Sequence, residues 1–315
     1  MRIIMANPRG FCAGVHMAID TVQELVDLLG PPLYVYHEIV HNKHVVARFE
    51  GQGVTFVDQI ADVPEGSTVV FSAHGVSPQV RAESKARGLR MIDATCPLVT
   101  KVHTEARRYA KQGYQILLVG HAGHDEIEGT YGEAPDAITI VESPQDVPTL
   151  PFGPDDKLIY LTQTTLSLDD ANRIIDAIRD RYPQVKAPPK EDICYATTNR
   201  QTVVRHLAPS ADLTLVVGSL NSSNSVRLTE ISEASGAPAK LLDDASELDP
   251  AWFDGVETVL ITAGASAPED LVQAVIQRLV DEFDGRVDPD EPVDERMNFA
   301  LPVQLRVLKR EMATG

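Results

Sequence analysis

Apolar runs of four or five residues recur along the chain, and most give way to a segment rich in Gly, Ser, Thr, Asn and His. Runs of this length, bounded by turn-forming residues, predict buried strands at 2–6, 33–36, 68–72, 91–94, 115–119, 157–161, 213–217 and 259–262. Between several of them the period changes. From Val15 the apolar positions are Val15, Ala18, Ile19, Val22, Leu25, Val26 and Leu29, a helical stripe that Gly30 and Pro31-Pro32 stop. Further helices are expected at about 98–112, from about 168, and at about 269–283. Alternating strands and helices predict an α/β fold of parallel strands.

The pattern repeats. Cys12, Cys96 and Cys194 each sit in a loop, the first two leading into a helix, and two polar strand-to-helix loops follow each cysteine. The first of these holds His41, His124 or Ser222, at 29, 28 and 28 positions after the respective cysteine. The second holds His74, Thr164 or Ser266, at looser spacings of 33, 40 and 44 positions after His41, His124 and Ser222. A degenerate triplication accounts for cysteines and polar loops keeping step. The expected units are 1–97 with Cys12, 98–193 with Cys96 at its start, and 194–283 with Cys194, followed by an acidic, Pro-bearing tail over 284–315. Ligands in parallel sheets sit beyond the carboxyl ends of the strands. Three units related by a pseudo-threefold axis would therefore bring the three thiols together. The segment before Cys194 is too irregular to read as a strand.

Composition narrows the chemistry. At 315 residues with 43% hydrophobic and 23% charged side chains, the chain is of ordinary globular composition. No apolar run approaches the ~20 residues of a membrane span, and no signal-peptide pattern opens the chain, which predicts a cytoplasmic location. A net charge of −18 without a basic stripe argues against nucleic acid. An anionic substrate would have to be held by a local site. Three cysteines without a Cys-x-x-Cys pair fit neither a disulfide framework nor an ordinary zinc finger.

Converging thiolates select soft metals: zinc, copper(I) or an iron–sulfur cluster. Two readings stand: zinc with a histidine as fourth ligand, or a 4Fe–4S cluster with one iron lacking a protein ligand. The surrounding polar loops favour the cluster, since a structural metal has no use for them. His41, His74, His124, Thr164, Ser222, Ser223, Asn224 and Ser266 lie where loops enter helices, and free backbone amides there attract anions. Such donors suit a phosphate or diphosphate. N-capping explains Ser222, Ser223 and Ser266 equally well one at a time. His16, His37, His44, His103 and His206 are read as surface or satisfied core residues. Glu126, a carboxylate beside these donors, is expected to have a raised pKa suited to a general acid. The alternative for Glu126 is a first-turn residue complementing the helix dipole.

At this point the motifs resemble a known family. Asn7-Pro8-Arg9-Gly10-Phe11-Cys12-Ala13-Gly14, Ser72-Ala73-His74-Gly75-Val76-Ser77, Asp93-Ala94-Thr95-Cys96-Pro97 and Gly120-His121-Ala122-Gly123-His124 are similar to those of the 4-hydroxy-3-methylbut-2-enyl diphosphate reductases, the IspH/LytB family. So are Thr162-Gln163-Thr164-Thr165-Leu166-Ser167, Ile193 to Gln201, Ser222-Ser223-Asn224-Ser225 and Thr262 to Pro268. The resemblance runs from residue 1 to about 280. It implies a trefoil of three α/β units around a 4Fe–4S cluster held by Cys12, Cys96 and Cys194. It implies Glu126 as proton donor assisted by Thr164, and diphosphate contacts from His41, His74, His124, Ser222, Ser223, Asn224 and Ser266. The implied reaction removes the hydroxyl of an allylic diphosphate as water, with two electrons and two protons. The electrons would come from a carrier such as ferredoxin or flavodoxin. A redox-neutral hydro-lyase and a cluster-bearing sensor are the competing classes, separated by a need for reductant and by turnover.

Overall fold

Strand β1 (Arg2–Met5) leads through the first cysteine loop into helix α1 (Ala13–Leu29) in the computed structural model, which describes residues 1–289, 291 and 293–314. Next come β2 (Leu33–Tyr36), α2 (Lys43–Glu50), β3 (Val54–Val57), β4 (Thr68–Phe71), α3 (Pro78–Ala86) and β5 (Arg90–Asp93). The middle of the chain forms α4 (Pro97–Lys111), β6 (Gln115–Val119), α5 (Asp125–Tyr131), β7 (Ile138–Val141), β8 (Leu158–Thr162) and α6 (Leu168–Arg181). Then follow α7 (Tyr195–Leu207), β9 (Leu213–Val217), α8 (Ser223–Ala234), β10 (Ala239–Leu242), β11 (Thr258–Ala263) and α9 (Glu269–Phe283). A two-residue strand β12 (Arg286–Val287) and helix α10 (Val303–Thr314) complete the described chain.

The strands form three parallel sheets, ordered β10-β9-β11-β1-β12, β3-β2-β4-β5 and β7-β6-β8. The expected α/β class with parallel strands is present. So are the expected strands, within a residue or two of their limits. Besides the two-residue β12, three further strands not foreseen, β3, β7 and β10, are outermost members of their sheets. Each has only part of its side chains buried, which blurs the apolar run.

The sheet orders reveal the phase of the repeat. In each, an edge strand is followed by the strand feeding the first polar loop and then by the strand feeding the second. In two sheets the next strand runs into a cysteine: β5 into Cys96 and β1 into Cys12. In the third, a single parallel bridge between Ile159 and Lys186 takes that place, ahead of Cys194. Pro188 and Pro189 follow after Ala187, and proline cannot donate to a ladder. A cysteine therefore closes each sheet rather than opening it, and β1 at the start of the chain finds its sheet near the end.

Two compact units result. One comprises Met1–Ala13, His41–Val45 and Tyr195–Asn298; the other comprises Gly14–Val40, Val46–Cys194 and the segment from Phe299. In the first, Leu213, Leu215, Val217, Val259 and Ile261 pack against Val272, Val275, Ile276 and Leu279 of α9. Val216 and Leu260 face the other way, towards Val204 of α7 and Leu228 and Ile231 of α8. In the second unit β6 and β8 are likewise covered on both faces, by α6 on one and α4 with α5 on the other. Two covered faces explain why these strands read as continuous apolar runs rather than alternating ones. Each buried Leu or Ile contributes about 1.5–3 kcal/mol, so the strand carboxyl ends are fixed in place for the loops they carry.

Candidate active site

Each cysteine immediately precedes a helix: Cys12 before α1, Cys96 as the N-terminal cap of α4, and Cys194 before α7. Each is half-buried, and none forms a disulfide. The amide of each donates to a carbonyl in the second polar loop of its own sheet. Cys12 N–H reaches Ala265 O at 3.3 Å, Cys96 N–H reaches Ala73 O at 3.0 Å, and Cys194 N–H reaches Thr164 O at 3.1 Å. The same bond thus occurs three times, beside Ser266, His74 and Thr164. Three unbridged thiols are the donor type that an iron–sulfur cluster or zinc takes, and they form no disulfide.

The Cys12 loop is braced from within its unit. Gly10 takes φ +65°, and a Cβ there would lie 3.2 Å from Ala267 O, so the turn admits glycine most readily. Its carbonyl accepts two bonds, at 2.7 and 3.2 Å, from the fully buried guanidinium of Arg200. Glu295 of the tail lies 3.3 Å from that guanidinium and balances its charge. Arg9 ties the loop to Glu269 at 2.7 Å.

Around Cys12 the polar loops of the same unit converge. Ser266 Oγ donates to His41 O at 2.9 Å and lies 3.2 Å from Ser222 Oγ, from which it can accept. Asn224 Oδ1 accepts from Ala265 N–H at 2.8 Å, next to the carbonyl that holds Cys12. Ser222 does cap α8, accepting from Ser225 N–H at 3.4 Å, and Ser223 is the first residue of that helix. Ser266 caps nothing: Pro268 occupies the cap position of α9. The capping explanation therefore holds for Ser222 and fails for Ser266.

In the other unit Glu126 is 2% exposed. Thr164 holds both its oxygens: the amide donates to Oε1 at 2.6 Å and the hydroxyl to Oε2 at 2.9 Å. Burial raises the Glu126 pKa to about 7; the two Thr164 bonds oppose the rise and the Asp192 carboxylate adds to it. The direction expected from sequence is found, with removal from water as its main cause. Glu126 also lies in the first turn of α5, the position from which a carboxylate can complement the helix dipole.

His124 caps α5 through Nδ1, which accepts from Glu126 N–H at 3.1 Å. That bond puts the proton of the neutral ring on Nε2. The His74 and His124 rings meet edge to face, with centroids 6.0 Å apart. Asp125 joins this group unforeseen, 3.8 Å from His74 Nδ1 and 2.8 Å from His37 Nδ1. The hydrogen bond to Asp125 raises the His37 pKa against the effect of burial. Its sequence signal was faint: an acidic residue directly after a loop histidine, at the first position of a helix.

A family model described as "LytB protein" matches residues 3–280. The chain belongs to the LytB family. It is 54% identical over 315 residues to the 4-hydroxy-3-methylbut-2-enyl diphosphate reductase of Rhodopirellula baltica, covering 100% of this chain and 99% of that protein. The Cutibacterium acnes enzyme of the same name is 53% identical, with 97% and 95% covered. Among solved structures, the Plasmodium falciparum E-1-hydroxy-2-methyl-but-2-enyl-4-diphosphate reductase matches with a TM-score of 0.93 at 40% identity, over 99% of both chains. As a LytB chain, it carries every candidate residue from Cys12 to Ser266 inside the family match, whereas Glu295 lies beyond it.

Proposed function

We propose that this chain is a 4-hydroxy-3-methylbut-2-enyl diphosphate reductase of the non-mevalonate isoprenoid pathway. It replaces the allylic hydroxyl of (E)-4-hydroxy-3-methylbut-2-enyl diphosphate by hydrogen, consuming two electrons and two protons and releasing water. Isopentenyl and dimethylallyl diphosphate are the products. The cysteine amide bond repeated at Ala265, Ala73 and Thr164 supports the site assignment most strongly, because it ties each thiol to a loop of polar donors.

Cys12, Cys96 and Cys194 would hold a 4Fe–4S cluster, which supplies electrons and, with three thiolates, keeps one iron open to substrate. The remaining work falls to this chain's own groups. With a pKa of about 7, Glu126 holds a proton through much of the neutral range. The Thr164 hydroxyl beside Oε2 both accepts and donates, so it can pass that proton on. His41, His74, His124, Ser222, Ser223, Asn224 and Ser266 would bind the diphosphate through ring, hydroxyl and amide donors, with helix amides adding positive potential. This local binding is needed in a chain of net charge −18. Electrons would arrive from a carrier such as ferredoxin or flavodoxin, in the cytoplasm. No helix among the described residues is long and apolar enough to cross a membrane.

The test is anaerobic turnover with a chemical reductant, with both products quantified against iron and sulfide content. Product formation that requires reductant and scales with cluster content is expected. Turnover without reductant would indicate a hydro-lyase instead.

A further inference from the structure

The Cys194 loop lacks the strand that holds the other two cysteine loops. Cys12 follows β1 and Cys96 follows β5, each paired along its length within a sheet, whereas one isolated bridge at Lys186 precedes Cys194. Something else must fix residues 187–193, which include Pro188 and Pro189.

We propose that Asp192 and Lys101 are positioning residues, a brace that replaces the missing strand and holds the Cys194 loop against β8 and against the helix capped by Cys96. The Asp192 side chain is wholly buried, and each of its oxygens has its own partner. Oδ2 accepts from the amide of Thr162, the last residue of β8, at 2.9 Å. Oδ1 accepts from Lys101 Nζ at 2.6 Å. The same ammonium donates to Lys190 O at 2.5 Å and Glu191 O at 3.2 Å, so one side chain gathers three successive residues of the loop. Lys101 is on α4, five residues beyond Cys96. Two residues past Asp192, Cys194 N–H binds Thr164 O, and Thr164 in turn holds Glu126. The brace thus sets two thiols and the proton donor in one framework. A buried carboxylate with both oxygens satisfied holds its partners in fixed geometry, and charge-assisted bonds are the stronger kind.

This inference rests on the assignment of Cys96 and Cys194 as cluster ligands. The experiment compares wild type, Lys101→Met, Lys101→Arg, Asp192→Asn and Cys194→Ser as full-length protein prepared anaerobically with its cluster. Iron release to a chelator is timed, and iodoacetamide labelling of each cysteine in the cluster-free chain is followed by mass spectrometry. Lys101→Met and Asp192→Asn should release iron roughly tenfold faster, the scale of one lost charge-assisted hydrogen bond. Cys194 should label faster while Cys12, in the other compact unit, labels at the wild-type rate. Lys101→Arg should restore slow release, since it keeps the charge and the reach. Wild-type iron release in both brace variants, while Cys194→Ser loses its cluster, would overturn the brace and leave the ligands standing. Equal acceleration of labelling at Cys12 and Cys194 would overturn it too, as general loosening. Full iron and sulfide in Cys194→Ser would overturn the ligand assignment and the brace with it.

Discussion

Thr164 binds both oxygens of Glu126, one through its amide at 2.6 Å and the other through its hydroxyl at 2.9 Å. The pairing joins the first turn of the helix after β6 to the loop after β8, two neighbouring strands of one sheet. Glu126→Gln keeps the shape and removes the acidic proton. Turnover should fall by roughly 10²–10⁴, the range for loss of a general acid. Since the loss lies in proton delivery, kcat should drop far more than KM rises. Wild-type kcat should decline above pH 7 as Glu126 ionises. A Gln variant with near-normal kcat would move the proton source elsewhere.

The same carboxyl makes stability depend on pH. Its folded pKa, about 7, lies above the ordinary 4.5. The folded chain therefore binds more protons between these values, and stability falls as pH rises through the window. The contribution is fully present below pH 4.5 and lost above 7, amounting to at most about 3 kcal/mol. Denaturant unfolding of the cluster-free chain at several pH values, for wild type and Glu126→Gln, checks the sign. The wild type should lose ground to the Gln variant as pH rises; parallel curves would contradict it.

The tail, beyond the family match, is expected to matter for the first cysteine loop. Glu295 balances Arg200, which is fully buried and holds Gly10 O. Glu295→Ala leaves that guanidinium without its counter-charge, and breaking a buried pair in this way costs about 3–5 kcal/mol. Thermal unfolding should register the loss, and cluster retention should decline with it. Replacing Arg200 by Met in the Glu295→Ala background should recover part of the stability, because the orphaned charge is gone.

Gly75 offers a test of the loop after His74. It takes φ +83°, and a Cβ there would sit 2.9 Å from His103 Nε2. His103 cannot easily yield, because it is buried and its Nδ1 is 2.8 Å from Glu133. Gly75→Ala should cost about 1–3 kcal/mol of stability and weaken binding of inorganic diphosphate, measured by calorimetry. Unchanged diphosphate affinity would remove the His74 loop from the anion site.

What could be read from sequence follows from what is buried. Runs such as Ile116 to Val119 and Leu213 to Val217 are enclosed on both faces, so their apolar character is continuous and legible. The edge strands β3, β7 and β10 are only partly buried and left little trace. The triplication was visible through Cys12, Cys96 and Cys194, but its phase was not, because the pairing of Ile3 with Val259 is a contact across most of the chain. The candidate residues were legible as chemistry in loops. Their support was less so: Arg200, Asp192 and Lys101 look like ordinary charged residues until burial and partners are known.

Mössbauer spectroscopy of the anaerobically prepared, iron-57-enriched protein tests the central claim most directly. Three cysteines holding a 4Fe–4S cluster leave one iron chemically unlike the other three. The spectrum should resolve into three similar irons and one distinct iron, and adding the allylic diphosphate should shift the distinct one alone. Four equivalent irons, unmoved by substrate, would contradict an open cluster held by Cys12, Cys96 and Cys194.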